Sequence, residues 1–143
     1  MINKFPVGLV LLILATTPVM ACDLKVSDAW IREAPPGLMT LAGYAILANQ
    51  GDKPLRIVKV QSSVFTEVQM HESRIDKGIA SMHAIDAVDI APHQSATFAP
   101  SGKHFMMMGA KQALKKGSQI QVQLQDQSGC VTSVSFVVRA VSE

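Results

Sequence analysis

Residues 119–140, QIQVQLQDQSGCVTSVSFVVRA, alternate apolar and polar side chains on both sides of one short turn, DQSG. A two-residue period is the mark of a strand with one face on a core and one in water. Working back from this pair, the same grammar recurs. TEVQMHES alternates, with Val68 and Met70 on one face and Gln69 and His71 on the other. DKG at 76–78 reads as a hairpin turn into IASMHAI. LRIVKVQSS (55–63) follows the turn QGDKP, AGYAILAN (42–49) precedes it, and LKVSDAWIRE stops at the breaker APPG. VDIAPHQSATFAPSGKHFMMMGA supplies two further strands, broken by Pro92 and by PSG at 100–102. Only ALKKG, near 113–117, has the composition of a helical turn. Short strands with Gly, Pro and Asp punctuation predict an all-β sandwich or barrel.

The chain has 143 residues, and its start does not belong to that pattern. MINKFPVGLVLLILATTPVMAC carries Lys4, an apolar run from Val7 to Ala15, and small residues before Cys22. This is the layout of a secretory signal, too short to span a bilayer stably. Val19 and Ala21 fit a cut after Ala21, so residues 1–21 are expected to leave and 22–143 to form one β domain. Losing Lys4 lowers the formal charge of +2 by one. A nearly neutral domain offers no electrostatic basis for binding nucleic acid or an anionic membrane.

Cys22 has two readings. VMAC could be a lipoprotein cleavage box, although Met20 fits it poorly; Cys22 would then carry a lipid and tether the domain. Alternatively Cys22 pairs with Cys130, the only other cysteine. Export to an oxidising compartment and an even count favour the disulfide. Each reading uses the same sulfur, so they exclude one another.

No G-x-S-x-G elbow, glycine-rich phosphate loop or HExxH is present, and the carboxylates are scattered over turns and strand ends. The groups left to carry chemistry are His71, His83, His93, His104 and the methionines at 39, 70, 82, 106, 107 and 108. In the run GKHFMMMGA, strand geometry sorts the side chains: His104, Met106 and Met108 share one face, and Phe105 and Met107 the other. Met107 and Met70 read as core, Met39 as a rim residue, and His83 and His93 as solvated. His71, Met82, His104 and Met106 come from strand ends near turns, and each alone reads as ordinary. Together they make two imidazoles and two thioethers. Thioether sulfur is soft and neutral, and prefers Cu(I) to zinc, calcium or magnesium. Unlike a thiolate, it survives an oxidising space without forming a disulfide. A blue-copper centre needs a thiolate ligand, and neither cysteine has His or Met at the close spacing of such a site.

That combination resembles the periplasmic copper chaperone family PCu(A)C, whose pattern is H-M-x10-M-x21-H-x-M. Here Met70 adjoins His71, ten residues separate His71 from Met82, twenty-one separate Met82 from His104, and Phe105 alone precedes Met106. VSDAWIREAPPG, GYAILAN, MHES and HFMMMGAKQALKKG look similar as well, so the resemblance spans about residues 24–138. It implies a cupredoxin-like Greek-key fold, and one Cu(I) held by His71, Met82, His104 and Met106 at an exposed edge. Met70 and Met108 stand as auxiliary thioethers. It further implies a monomeric binding protein, not an enzyme. Delivery would run to the binuclear copper centre of cytochrome c oxidase, directly or through a Sco-like thioredoxin-fold partner. Many members carry a His/Met-rich C-terminal extension; this chain ends RAVSE, so a single Cu(I) site is expected. Copper storage or tolerance, and a structural β-sandwich module without metal, are the competing readings. The expected location is the periplasm, or the membrane if Cys22 is lipidated.

Overall fold

The computed structural model describes residues 21–140; apart from Ala21, the expected signal segment lies outside them. The described residues form ten strands and no helix: β1 (Leu24–Arg32), β2 (Leu41–Asn49), β3 (Leu55–Gln61), β4 (Phe65–Asp76), β5 (Ile79–Ala84), β6 (Val88–Ile90), β7 (Ser95–Phe98), β8 (Lys103–Ala110), β9 (Gln119–Asp126) and β10 (Val131–Arg139). They join in one hydrogen-bonded sheet in the order β5-β4-β8-β7-β2-β1-β10-β9-β3-β6, with β8 also pairing β2. β3 and β4, near opposite ends of that order, pack against one another, so the sheet curls back over a single core. The result is the all-β sandwich expected from the alternating pattern.

The alternation translates directly into burial. Ile120, Val122 and Leu124 of β9 point inward while the glutamines between them face water. Phe105 sits at the centre of the core, stacked on Phe98 at 4.3 Å and edge-on to Phe136 at 5.8 Å. These offset and T-shaped contacts suit the ring quadrupoles and add to the burial of their area. Met107, fully buried, packs over Gly43 of β2. A Cβ at Gly43 would stand 2.7 Å from Met107 Cε, so the glycine is what admits the long thioether.

Turns follow their chemistry. Lys77 and Gly78 both have positive φ, the type I′ geometry that matches the twist of the β4–β5 hairpin. The Asp126 carboxylate accepts from the backbone N–H groups of Ser128 (2.8 Å) and Cys130 (3.1 Å), folding DQSG into a compact turn. That turn presents Cys130 to Cys22, and the two form a disulfide with Cα atoms 5.8 Å apart. The bond ties the segment before β1 to the start of β10.

Two local expectations are corrected. ALKKG is no helical turn: Gly117 takes a left-handed φ of 87°, and the Lys116 N–H goes to the Glu33 carboxylate. Between residues 88 and 110 there are three strands and not two, because His93 adopts φ 58° and turns the chain between β6 and β7.

Candidate metal centre

The site grows from the pairing of β4, β5 and β8, the three strands at one end of the sheet order. In an antiparallel ladder, directly opposed residues share a face. β4 pairs β8 with His71 opposite His104 and Gln69 opposite Met106; it pairs β5 with Ser73 opposite Met82. Since Gln69, His71 and Ser73 alternate along one face of β4, all four candidates fall on that same face. His71 and His104 stand in the middle, with Met106 one step along β8 and Met82 diagonally across on β5. An open groove of about 500 Å³ runs along this face, walled by Met82, His104 and Met106 together with Tyr44, Ile75 and Pro100.

Exposure is graded across the set. His104 is 5% exposed and Met82 62% exposed, with His71 and Met106 between. β5 is an edge strand, which is why Met82 stands open, whereas β8 is covered by strands on both sides. The two imidazole rings lie 5.7 Å apart between centroids and are tilted by 42°. Each makes one hydrogen bond. His71 Nε2 lies 2.9 Å from Gln69 Oε1, and His104 Nδ1 lies 3.2 Å from the Gly102 carbonyl. The other nitrogens, His71 Nδ1 and His104 Nε2, are buried and have no hydrogen-bond partner. Two such orphans on neighbouring rings are costly unless something else satisfies them.

Burial, and secondarily the neighbouring His104, lowers the His71 pKa from its ordinary value. Both causes disfavour the imidazolium and keep the lone pair available at neutral pH. On the other face of β4, the Glu72 carboxylate is occupied by Arg74 at 2.9 Å and Lys103 at 3.3 Å, which hold its pKa down. Among the described residues no three His, Cys, Asp or Glu side chains gather as a metal cluster. On this face His71, His104, Met82 and Met106 offer imidazole nitrogen and thioether sulfur, with Gln69 and Glu67 farther along β4.

The remaining candidates separate clearly. Met107 and Met70 are buried on the inward face, so Met70 points away from His71. Met108 lies on the same face as His104 but opposite Glu67, a step beyond Met106. Met39 is an exposed loop residue. His83 bonds Ser81 and His93 pairs with Asp52 at 2.7 Å, both at the surface. Sequence reasoning missed Gln69 and the Gly102 carbonyl, which bond the two imidazoles, and Glu67, which bonds Gln69. The alternation already put Gln69 on the face of His71, and that was the available signal.

Residues 24–138 match the family described as "Putative lipoprotein LpqE-like". A relative from Leifsonia xyli subsp. xyli, "Putative lipoprotein Lxx21020", is 31% identical over 130 residues, covering 90% of this chain and 77% of that protein. Among solved structures, the copper-bound PCuAC domain from PmoF2 superposes with a TM-score of 0.70 at 23% identity, covering 83% of this chain and 94% of that one. The solution structure of apo-DR1885 from Deinococcus radiodurans gives 0.66 at 23% identity, with 99% and 95% covered. The solution structure of CuI-DR1885 from the same organism gives 0.63 at 26% identity, with 78% and 74% covered.

Proposed function

The chain belongs to the LpqE-like family and shares its fold with PCuAC domains, and from that premise we propose that it binds one Cu(I) ion through His71, Met82, His104 and Met106 and passes it on by ligand exchange. One observation carries the reading: two imidazoles with ring centroids 5.7 Å apart each keep a buried nitrogen without a partner, on the sheet face that also bears both thioethers. A donor set of two neutral nitrogens and two thioethers suits Cu(I) and is poor for zinc, calcium or magnesium. The solved neighbour described as copper-bound supports copper, and the one described as CuI-DR1885 supports the Cu(I) state.

The graded exposure supports transfer over permanent retention. An acceptor's ligand approaching along the groove meets Met82 first, on the open edge strand, and displaces its thioether. Copper stays bound to His104 and its neighbours until further acceptor ligands complete the exchange. The ion remains Cu(I) throughout, so no electron donor is needed. The protein is a binding protein, with no bond of a substrate made or broken.

We place it in the periplasm, after loss of residues 1–21, where the Cys22–Cys130 disulfide is compatible with an oxidising space. The relatives are described as lipoproteins, but here the disulfide occupies the sulfur that a lipid would need. Intact mass of the protein from cells separates the two forms. The acceptor we propose is the copper-centre subunit of cytochrome c oxidase or a Sco-like thioredoxin-fold protein. Mixing Cu(I)-loaded protein with each apo-acceptor should move copper to it, one ion per donor molecule, until the acceptor's centre is filled, with two ions for a binuclear centre. Copper that stays put with both, together with a deletion strain that loses copper tolerance but keeps oxidase activity, would replace delivery by storage.

A further inference from the structure

A short relay on β4 leads into the site. Glu67, Gln69 and His71 alternate along one face. The Gln69 Nε2–H group donates to Glu67 Oε1 at 2.6 Å, and Gln69 Oε1 lies 2.9 Å from His71 Nε2. An ionised carboxylate only accepts, so Glu67 claims the NH2 end of the amide and turns its oxygen toward the ring. An oxygen there requires a proton on His71 Nε2, which leaves the lone pair on Nδ1. Nδ1 is the atom found buried and unpartnered. The facing ring has the opposite arrangement. The Gly102 carbonyl, which also accepts the Ser73 N–H at 3.1 Å, lies 3.2 Å from His104 Nδ1. A carbonyl only accepts as well, so His104 carries its proton on Nδ1 and its lone pair on Nε2, again the orphaned atom.

We infer that Glu67 and Gln69 are positioning residues that hold His71 in the tautomer opposite to that of His104, so that copper meets His71 through Nδ1 and His104 through Nε2. The inference rests on the proposed copper site and deepens it. The two histidines face each other directly in the ladder. Nδ1 lies close to its own backbone and Nε2 at the far end of its ring, so opposite tautomers give two directly opposed imidazoles different reach toward one ion. Outer hydrogen-bond partners of this kind also fix ring orientation and raise the donor strength of the ligand nitrogen.

The test uses the 15N-labelled, copper-free protein above neutral pH, where long-range proton–nitrogen correlation spectra distinguish a protonated ring nitrogen from one bearing a lone pair. The expected spectrum shows His71 as the Nε2–H form and His104 as the Nδ1–H form. In Gln69→Leu, His71 should become a mixture of both forms while His104 stays unchanged, and Cu(I) affinity should fall about 10- to 100-fold. Glu67→Gln frees the amide of Gln69 to turn over, so it should give a partial mixture. A wild-type His71 in the Nδ1–H form, or a tautomer unmoved in Gln69→Leu, overturns the assignment. The wild-type spectrum decides this even if a variant folds poorly. Tautomers as stated with no Cu(I) uptake would remove the copper reading and leave the positioning of His71; Cu(I) uptake with the reverse tautomers would do the opposite.

Discussion

Replacing Met106 and Met107 separately by alanine should split copper binding from stability between two adjacent residues. Met107 is fully buried over Gly43 and between core strands, so its truncation removes a methionine side chain and leaves a cavity. Such a change costs about 2–5 kcal/mol. For a domain of this size that lowers Tm by about 10 °C or more. Met106 is partly exposed on the groove face, and its truncation should cost about 1 kcal/mol or less. For copper the order reverses. Met106→Ala removes a proposed ligand, and its Cu(I) affinity should fall at least as far as loss of an outer partner would lower it, about 10- to 100-fold. Met107→Ala should still bind one Cu(I), with affinity within a few-fold of wild type. Thermal melts of the copper-free proteins and Cu(I) titrations against a competing chelator measure both quantities. Equal loss of affinity in the two variants, or a large Tm loss in Met106→Ala alone, would refute the division of labour along β8.

Three other outcomes follow from the same geometry. Changing Cys22 and Cys130 to serine opens a link between residues 108 apart in sequence and should cost about 2–5 kcal/mol, read as a lower denaturant midpoint that matches the wild type under reducing conditions. Gly43→Ala puts a Cβ against the flexible end of Met107 and should cost about 1–3 kcal/mol; combined with Met107→Ala, the cost should be less than the sum. The lowered pKa of His71 means the unfolded chain takes up this proton first as pH falls. Stability from the neutral imidazole is therefore full above the ordinary histidine pKa and is lost as pH drops from there through the depressed value. His71→Gln should be less sensitive to acid over that window, as judged by melts at a series of pH values.

Much of this architecture was legible because burial imposes a period of two on every strand that has one face in water. QIQVQLQ and VTSVSFVVRA became β9 and β10 nearly residue for residue, and the same period separated Met107 from Met106. The Lys77–Gly78 turn was legible because glycine there permits the positive φ of a tight hairpin. The two short strands around His93 were harder, since a left-handed histidine leaves no mark on composition. Within the candidate site, periodicity could say that His104 and Met106 share a face, but not that His71 stands opposite His104. That is a property of register between distant segments, set by the whole sheet. The hydrogen bonds that leave Nδ1 of one ring and Nε2 of the other without partners depend on side-chain placement finer still. Cysteine parity pointed to the Cys22–Cys130 bond, while the compact Asp126 turn that delivers Cys130 emerged only in three dimensions.

The proposed centre holds one Cu(I) between two imidazole nitrogens and two thioethers. It is tested most directly by X-ray absorption on protein loaded with a single equivalent of Cu(I). The expected shell has two nitrogen and two sulfur neighbours, losing one sulfur in Met82→Ala and one in Met106→Ala. Copper that fails to bind stoichiometrically, or a shell containing no thioether sulfur, would contradict it.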